Sequence, residues 1–406
     1  MNRILACALV GSLPLGLFGH VSDLPPVSGE LAFAPVEGHA AITKHQEALK
    51  KSPGDAVLLE RLGRLFISTA RLKLDDKYYA NAEACGFLLG ETAAGLLLRG
   101  HCLLAAHRFH DAEDVARRLL KLRQEMQDHA LLGDALMEQG LLEDALPVYQ
   151  AMIDAKPCLP SYSRVAHFRW LKGDVEGAME MAEQAIACGS YRDPEPLAWV
   201  TTRLAFYQWQ AGKLDLALQT AGRAEQLVAG YAHASFIKGR VYLAKGDFKA
   251  AAASLEVAAR SLKLPEVMWA LEDTRGGKMD EAHMRADGRS AALYLATRGL
   301  LSEEALALAK AETLARRDVF TWDAVAWAQL RAGEPQAAAV SARRALVEGT
   351  EDARILLHAG LIFQSAGDPV QSAQLLTRAR ALRFQLLPSE QALLDQSEAL
   401  FTSNTK

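Results

Sequence analysis

The sequence is poor in the signatures of catalysis. Its 406 residues carry no glycine-rich phosphate loop, no nucleophile elbow and no helical zinc motif. Cysteine is scarce: Cys7, Cys85, Cys102, Cys158 and Cys188 are the five, and their spacing fits no disulfide framework. Charge of one sign is also lacking, with 45 basic residues against 49 acidic and a net charge of −4. That balance supplies no basic patch, so nucleic acid is not an expected partner. No apolar run reaches the roughly 20 residues of a membrane span. The longest, Ile4–Phe18, is too short for one.

What the sequence has is alanine-rich, helix-favouring repetition, within an apolar content of 50%. The stretch Asp128–Pro157 shows the unit most plainly. Leu132, Gly133 and Leu136 share one face of a first helix, and Gly133 lets a neighbouring helix approach. Gly140 suits the helix end, where a left-handed backbone costs glycine nothing. Ala145, Tyr149 and Met152 then line one face of a second helix, which Pro157 ends. A single hairpin of this kind cannot bury its apolar face, so it requires a copy on each side.

The copies recur. The small residue early in each second helix is Ala112, Ala145, Ala178, Ala217, Ala251, Ala282, Ala305, Ala338 and Ser372, mostly 31–34 residues apart. Turn glycines run in parallel at Gly140, Gly173, Gly212, Gly246, Gly277, Gly333 and Gly367. A period near 34 residues with this small-residue pattern resembles the tetratricopeptide repeat. The resemblance covers residues 55–385 and implies an all-α fold, a right-handed superhelix (α-solenoid) of about nine to ten helix-turn-helix repeats.

Taken in order, Met1–Phe18 has one basic residue, Arg3, then its apolar run. Residues 1–22 read as a secretory signal peptide, giving an exported protein, periplasmic or secreted, with a cytoplasmic one as the alternative. Residues 23–40, with Pro25, Pro26 and Pro35, read as an extended linker. The solenoid occupies 41–387. Its first repeat, Ala56–Cys85, has an irregularly long turn through ARLKLDDKYY. A 39-residue interval between Ala178 and Ala217 places an insertion, GSYRDPEP at Gly189–Pro196, in a loop. A 23-residue interval between Ala282 and Ala305 predicts clipped helices across Met279–Arg298 and a kink near Gly276-Gly277. Residues 388–406 form a last helix and tail that cap the stack.

The segment Pro160–Ala187, PSYSRVAHFRWLKGDVEGAMEMAEQAIA, sharpens the resemblance, as do His107-Arg108-Phe109 and the repeats of Asp323–Leu376. They are similar to a bacterial family of tetratricopeptide repeat proteins that has no assigned activity. That likeness implies fold and bacterial origin, and no mechanism.

In such a superhelix the first helices line a concave groove that receives a peptide or helix. Read as solvent-side, the groove positions are His167, Trp170, Trp199, Phe206, Trp209, Phe236, Arg240, Asp323, Trp327 and Arg331. Aromatic side chains beside arginine are what interface anchors are made of, while the same rings equally serve packing between helices. The expected function is therefore a non-catalytic scaffold for a protein or peptide partner, with no cofactor. Its alternatives are an enzyme or accessory subunit with a dispersed site, and a structural spacer whose groove its own side chains fill. His101, Cys102, His107 and His110 lie close together, but without paired metal-ligand spacing, and no metal is expected. If the protein is exported, Cys85 with Cys102 and Cys158 with Cys188 are the pairs a helical hairpin would bring together; the alternative is four small buried hydrophobes. Oligomeric state is not legible.

Overall fold

The computed structural model describes residues 29–36, 39–276, 279, 284 and 287–404. The signal segment 1–22, Gly277, Ala282 and the last two residues lie outside them. The described residues contain 21 α-helices, two short 3-10 turns and no strand. They fall into two compact units, one of residues 29–161 and one of residues 162–404.

Unit 1 holds α1 (Ala40–Lys51), α2 (Ala56–Lys73), α3 (Lys77–Leu88), α4 (Ala93–Ala105), α5 (Phe109–Leu122), α6 (Met126–Glu138) and α7 (Leu142–Ala155). The stretch expected as an extended linker is, at Gly29–Phe33, a 3-10 turn folded onto the first helices. Gln46 Nε2 donates to the Ala32 and Ala34 carbonyls at 3.0 and 2.8 Å, and Asn81 Nδ2 to Leu31 at 2.7 Å. These bonds satisfy backbone groups that burial of Ala32 would otherwise orphan. The long turn expected at Ala70–Tyr79 is short, because α2 continues to Lys73 and ends at Leu74 in the left-handed region, φ 55°.

Unit 2 opens within α8 (Leu159–Leu171) and continues through α9 (Val175–Ala187), α10 (Pro194–Gln210), α11 (Leu214–Leu227), α12 (Ala232–Ala244), α13 (Phe248–Ala259) and α14 (Pro265–Arg275). It resumes with α15 (Gly288–Arg298), α16 (Ser302–Glu312), α17 (Val319–Arg331), α18 (Pro335–Ala345), α19 (Ala353–Ser365), α20 (Pro369–Ala381) and α21 (Pro388–Asn404). The insertion Gly189–Pro196 divides: Gly189–Asp193 is loop, whereas Pro194–Pro196 opens the 17-residue α10. Proline fits there, since the first helical turn needs no donor from it. Next to the clipped region, Gly276 takes φ 80°, and α14 and α15 are only 11 residues each.

The repeat logic is visible in packing. Ala112, Ala145, Ala178, Ala217, Ala251, Ala305, Ala338 and Ser372 are each 0% exposed. A larger side chain at any of them would force the paired helices apart. The turns work by division of labour. Gly173, Gly246 and Gly367 take φ of 80°, 75° and 87°, which glycine alone adopts freely. The aspartates that follow cap the next helix: Asp174 accepts from Gly177 N, Asp247 from Ala250 N and Asp368 from Gln371 N.

Candidate functional site

The ten residues singled out as groove positions all belong to unit 2, on α8, α10, α12 and α17. Nine are buried, from Trp170 and Trp327 at 1% exposure to Phe206 and Arg240 at 6%. Arg331 is exposed and lies over the Trp327 ring at 5.8 Å. The expected solvent-side position does not hold for the nine, and the reason is that the side chains cover one another. Trp170 meets Phe206 edge-on at 5.0 Å and stacks with His167 at 5.5 Å. Phe206 in turn meets Trp209 at 5.8 Å. Trp199 meets His233 at 5.0 Å, and Arg240 lies over Trp209 at 5.0 Å. Phe236 is buried in α12.

The layer also closes across the unit. Trp170 stacks on Phe320 of α17 at 5.6 Å, with ring planes 11° apart. Thr350 Oγ1 donates to the Leu171 carbonyl at 2.5 Å over 179 residues of chain, and Lys172 pairs with Glu348 at 2.6 Å. Asp323, at 3% exposure, accepts from His358 Nδ1 at 3.0 Å, and His358 stacks on Trp327 with 4.2 Å between ring centres.

Several residues of this buried layer were not foreseen. Arg203 lies on α10 between Trp199 and Phe206, at helical spacing from both, so the same pattern would have found it. Its Nη2 reaches His167 Nδ1 at 2.9 Å and the Tyr207 hydroxyl at 3.2 Å. Its guanidinium lies over Phe206 and Tyr207 at 4.6 and 5.0 Å, and it has no carboxylate partner among the described residues. Burial and the adjacent Arg203 push His167 well below its ordinary pKa.

Glu266 and Trp269 stand on α14, where the broken repeat obscured the pattern. Arg240 Nη1 donates to Glu266 Oε1 at 2.7 Å, and Arg354 Nη2 donates to the same oxygen at 2.9 Å. Burial alone pushes the Glu266 carboxyl up, but Arg354 and Arg240 outweigh it and hold it below its usual range. Glu390 pairs with the Nε of Arg354, whose guanidinium is thus shared between two carboxylates.

The remaining members come from the 3-10 turn Arg383–Gln385 and the first turn of α21. Arg240 Nη2 donates to the Gln385 carbonyl at 2.6 Å, and Gln385 Nε2 donates to the Gln210 carbonyl at 3.0 Å. Trp269 Nε1 donates to Ser389 Oγ at 3.0 Å. Instead of only capping the stack, the start of α21 is drawn inward, with Glu390 at 0% exposure. Nothing periodic marks Gln385, so repeat reasoning could not reach it.

In unit 1, His101 and Cys102 are buried in α4, His107 is half-buried and His110 exposed. Among the described residues no group of three or more histidine, cysteine or acidic side chains is placed to hold a metal ion. Cys85, Cys102, Cys158 and Cys188 are free thiols. No described helix is long and apolar enough to cross a membrane.

Helix hairpins stacked in sequence, each closing on a small buried residue, define an all-α repeat protein. Residues 97–160 and 202–262, one stretch in each unit, match the tetratricopeptide repeat family model, so these two stretches carry tetratricopeptide repeats. A search of the curated proteins found no match. Among solved structures, human IFIT1, a dimer with PPP-AAAA, is 13% identical, with 84% of this chain and 77% of that one covered at a TM-score of 0.43. Pseudomonas aeruginosa PilF is 13% identical over 54% of this chain and 89% of its own, TM-score 0.38. MamA is 18% identical over 40% and 93%, TM-score 0.32.

Proposed function

We propose that the chain is a non-catalytic scaffold that holds a protein or peptide partner against the inner face of unit 2. That face is lined by His167, Trp170, Trp199, Phe206, Trp209, Phe236, Arg240 and Trp327, with Arg331 at its edge. The observation that carries the reading is the bond from Arg240 to the main-chain carbonyl of Gln385, at 2.6 Å. A side chain that reads a main-chain carbonyl, here at the end of a three-residue 3-10 turn, is the kind of contact by which a groove takes a peptide. Aromatic side chains and arginine around it match the composition of interface anchors.

The test is capture on the full-length protein. It is immobilised beside an Arg240→Met variant of equal helicity, and extract from the source organism is passed over both. A partner held by the native protein and lost by the variant supports the reading. Equal retention moves the partner off this face. A second reading, a structural spacer whose inner face is filled by its own side chains, is favoured by the burial of Trp170 and Trp209 at 1% and 5%. Capture of no partner would favour it.

Export belongs to the same proposal and rests on the basic and apolar order of Met1–Phe18. Fusing residues 1–40 to a reporter active only outside the cytoplasm tests it, and an inactive fusion would remove it.

A further inference from the structure

We propose that the inner face of unit 2 is a peptide-binding groove locked by the chain's own segment Arg383–Glu390, and that its partner is a peptide of that segment's chemistry: a glutamine followed five residues on by a carboxylate. The inference rests on the scaffold reading and names both the partner's chemistry and the control on its access.

The segment is held as a bound peptide is held, and not as a repeat. It runs from a three-residue 3-10 turn at Arg383–Gln385 into the first turn of α21, which Pro388 opens. Gln385 is matched on three sides. Its carbonyl accepts from Arg240, its Nε2 donates to the Gln210 carbonyl at 3.0 Å, and its Oε1 accepts from Ala353 N at 2.9 Å. Ala353 N belongs to the first turn of α19, where backbone donors have no partner inside the helix. Ser389 is matched on two sides, by Trp269 Nε1 at 3.0 Å and, through its own N–H, by Asp273 Oδ2 at 2.7 Å. Glu390 completes the set on Arg354. The groups that read the segment come from α10, α12, α14 and α19, so a single stretch of chain is read by four separate first helices.

The charges explain how the lock can open without destroying the face. Arg240 and Arg354 each keep a bond to Glu266, at 2.7 and 2.9 Å, that does not involve the segment. When the segment leaves, neither guanidinium is stranded without a carboxylate, which is the outcome that makes breaking a buried ion pair costly. What each loses is specific. Arg240 loses a main-chain carbonyl, and the Nε of Arg354 loses the Glu390 carboxylate. The emptied groove therefore calls for a carbonyl at the first and a carboxylate at the second, and an acidic peptide with the same spacing supplies both. Arg354 also lies over the Trp269 ring at 4.9 Å, which fixes the fork in place for that carboxylate.

The experiment keeps the chain full-length throughout. A fluorescein-labelled peptide of residues 382–393 is titrated, by anisotropy, into the native protein and into a Gln385→Ala/Ser389→Ala/Glu390→Ala variant. The variant disables the lock and leaves the groove unchanged. The expected result is binding at least tenfold tighter to the variant, lost when alanine replaces the peptide residues that match Gln385 and Glu390. Binding no tighter than to the native protein, at equal helicity, overturns the proposal.

Should the variant unfold, hydrogen exchange on the native protein decides. Residues 383–391 are expected to open locally and exchange well before α19, and equal protection of the two overturns the lock. Peptide binding by the variant supports the lock whether or not capture yields a partner. A captured partner without such binding overturns the lock and leaves the scaffold reading standing.

Discussion

Arg203 Nη2 stands 2.9 Å from His167 Nδ1, and both side chains are only 4% exposed. A guanidinium can only donate, so Nδ1 is the acceptor and the ring is neutral. A second positive charge here would face Arg203 in a buried site, which is why burial and Arg203 together lower the His167 pKa well below 6.5. The consequence for stability has a definite sign. Above about pH 6.5 the imidazole is neutral in both the folded and unfolded chain and contributes no slope. Below it the unfolded chain binds a proton that the folded one refuses. Stability therefore drops as the pH is lowered, by up to about 1.4 kcal/mol per pH unit until the folded pKa is reached. A His167→Gln variant keeps an acceptor for Arg203 and removes the titration. Urea unfolding of both proteins from pH 7.5 to 5 is expected to show the variant gaining on the native protein only below about pH 6.5. A constant difference across that range would reject the neutral-imidazole account.

The buried arginines make a second, contrasting prediction. Arg240 is paired with Glu266 and bonded to Gln385, whereas Arg203 has aromatic faces and no carboxylate among the described residues. Replacing a paired buried charge leaves its partner under-compensated. Arg240→Met leaves Glu266 with Arg354 alone and the Gln385 carbonyl unserved, and should cost about 1–3 kcal/mol. Replacing Arg203 by methionine removes a buried charge and keeps the length and apolar contact of the side chain. That change strands no carboxylate and leaves only the neutral His167 Nδ1 and Tyr207 hydroxyl without their donor, so it should cost less than Arg240→Met. Denaturant melts of the two variants check the order, and a larger loss for Arg203→Met would reverse it.

Two glycines inside helices should respond in opposite directions. A Cβ on Gly133 would stand 2.4 Å from Tyr149 Cε1, and Tyr149 is itself buried and bonded through its hydroxyl to Asp134 at 3.0 Å. The ring cannot yield without giving up that bond, so Gly133→Ala should cost about 1–3 kcal/mol by overpacking. A Cβ on Gly222, in α11, meets nothing within 4 Å. There alanine removes the glycine penalty of a helix interior, and Gly222→Ala should stabilise by about 0.5–1 kcal/mol. Thermal melts of the pair would expose an error in either assignment.

These contrasts show where sequence reasoning was strong and where it stopped. The repeats were legible because their physics is local. A small residue such as Ala145 recurs where two helices cross, and a Gly-Asp pair recurs where one helix ends and the next is capped. The positions of these side chains in the repeat were legible too, since Trp170 and Trp209 each stand three residues before a turn glycine, and Phe206 and Arg240 six before one. Their exposure was not. Whether Trp170 faces solvent depends on Phe320, which reaches it only through the closure of the whole unit. Gln385 escaped for the same reason, because its partners Gln210, Arg240 and Ala353 are distant in the chain and no periodicity marks a segment that is not a repeat.

The cysteines carry a last prediction, and it bears on the environment the chain tolerates. Cys85 and Cys102 are buried at 0% and 5% exposure, and Cys102 Sγ donates to the Tyr79 carbonyl at 3.4 Å. Burial pushes the Cys85 thiol up to about 12 and the Cys102 thiol well above its ordinary value. The thiolate is the reactive form, so neither should be alkylated or oxidised while the fold is intact. Cys188, exposed at the end of α9, has no such protection. With iodoacetamide at pH 8 the native protein should be labelled first at Cys188, with Cys85 and Cys102 modified only once denaturant unfolds unit 1. Mass spectrometry reads the order directly. Early labelling of Cys85, or a Cys85–Cys102 disulfide in the native protein, would mean that the interface between α3 and α4 opens far more readily than its packing implies.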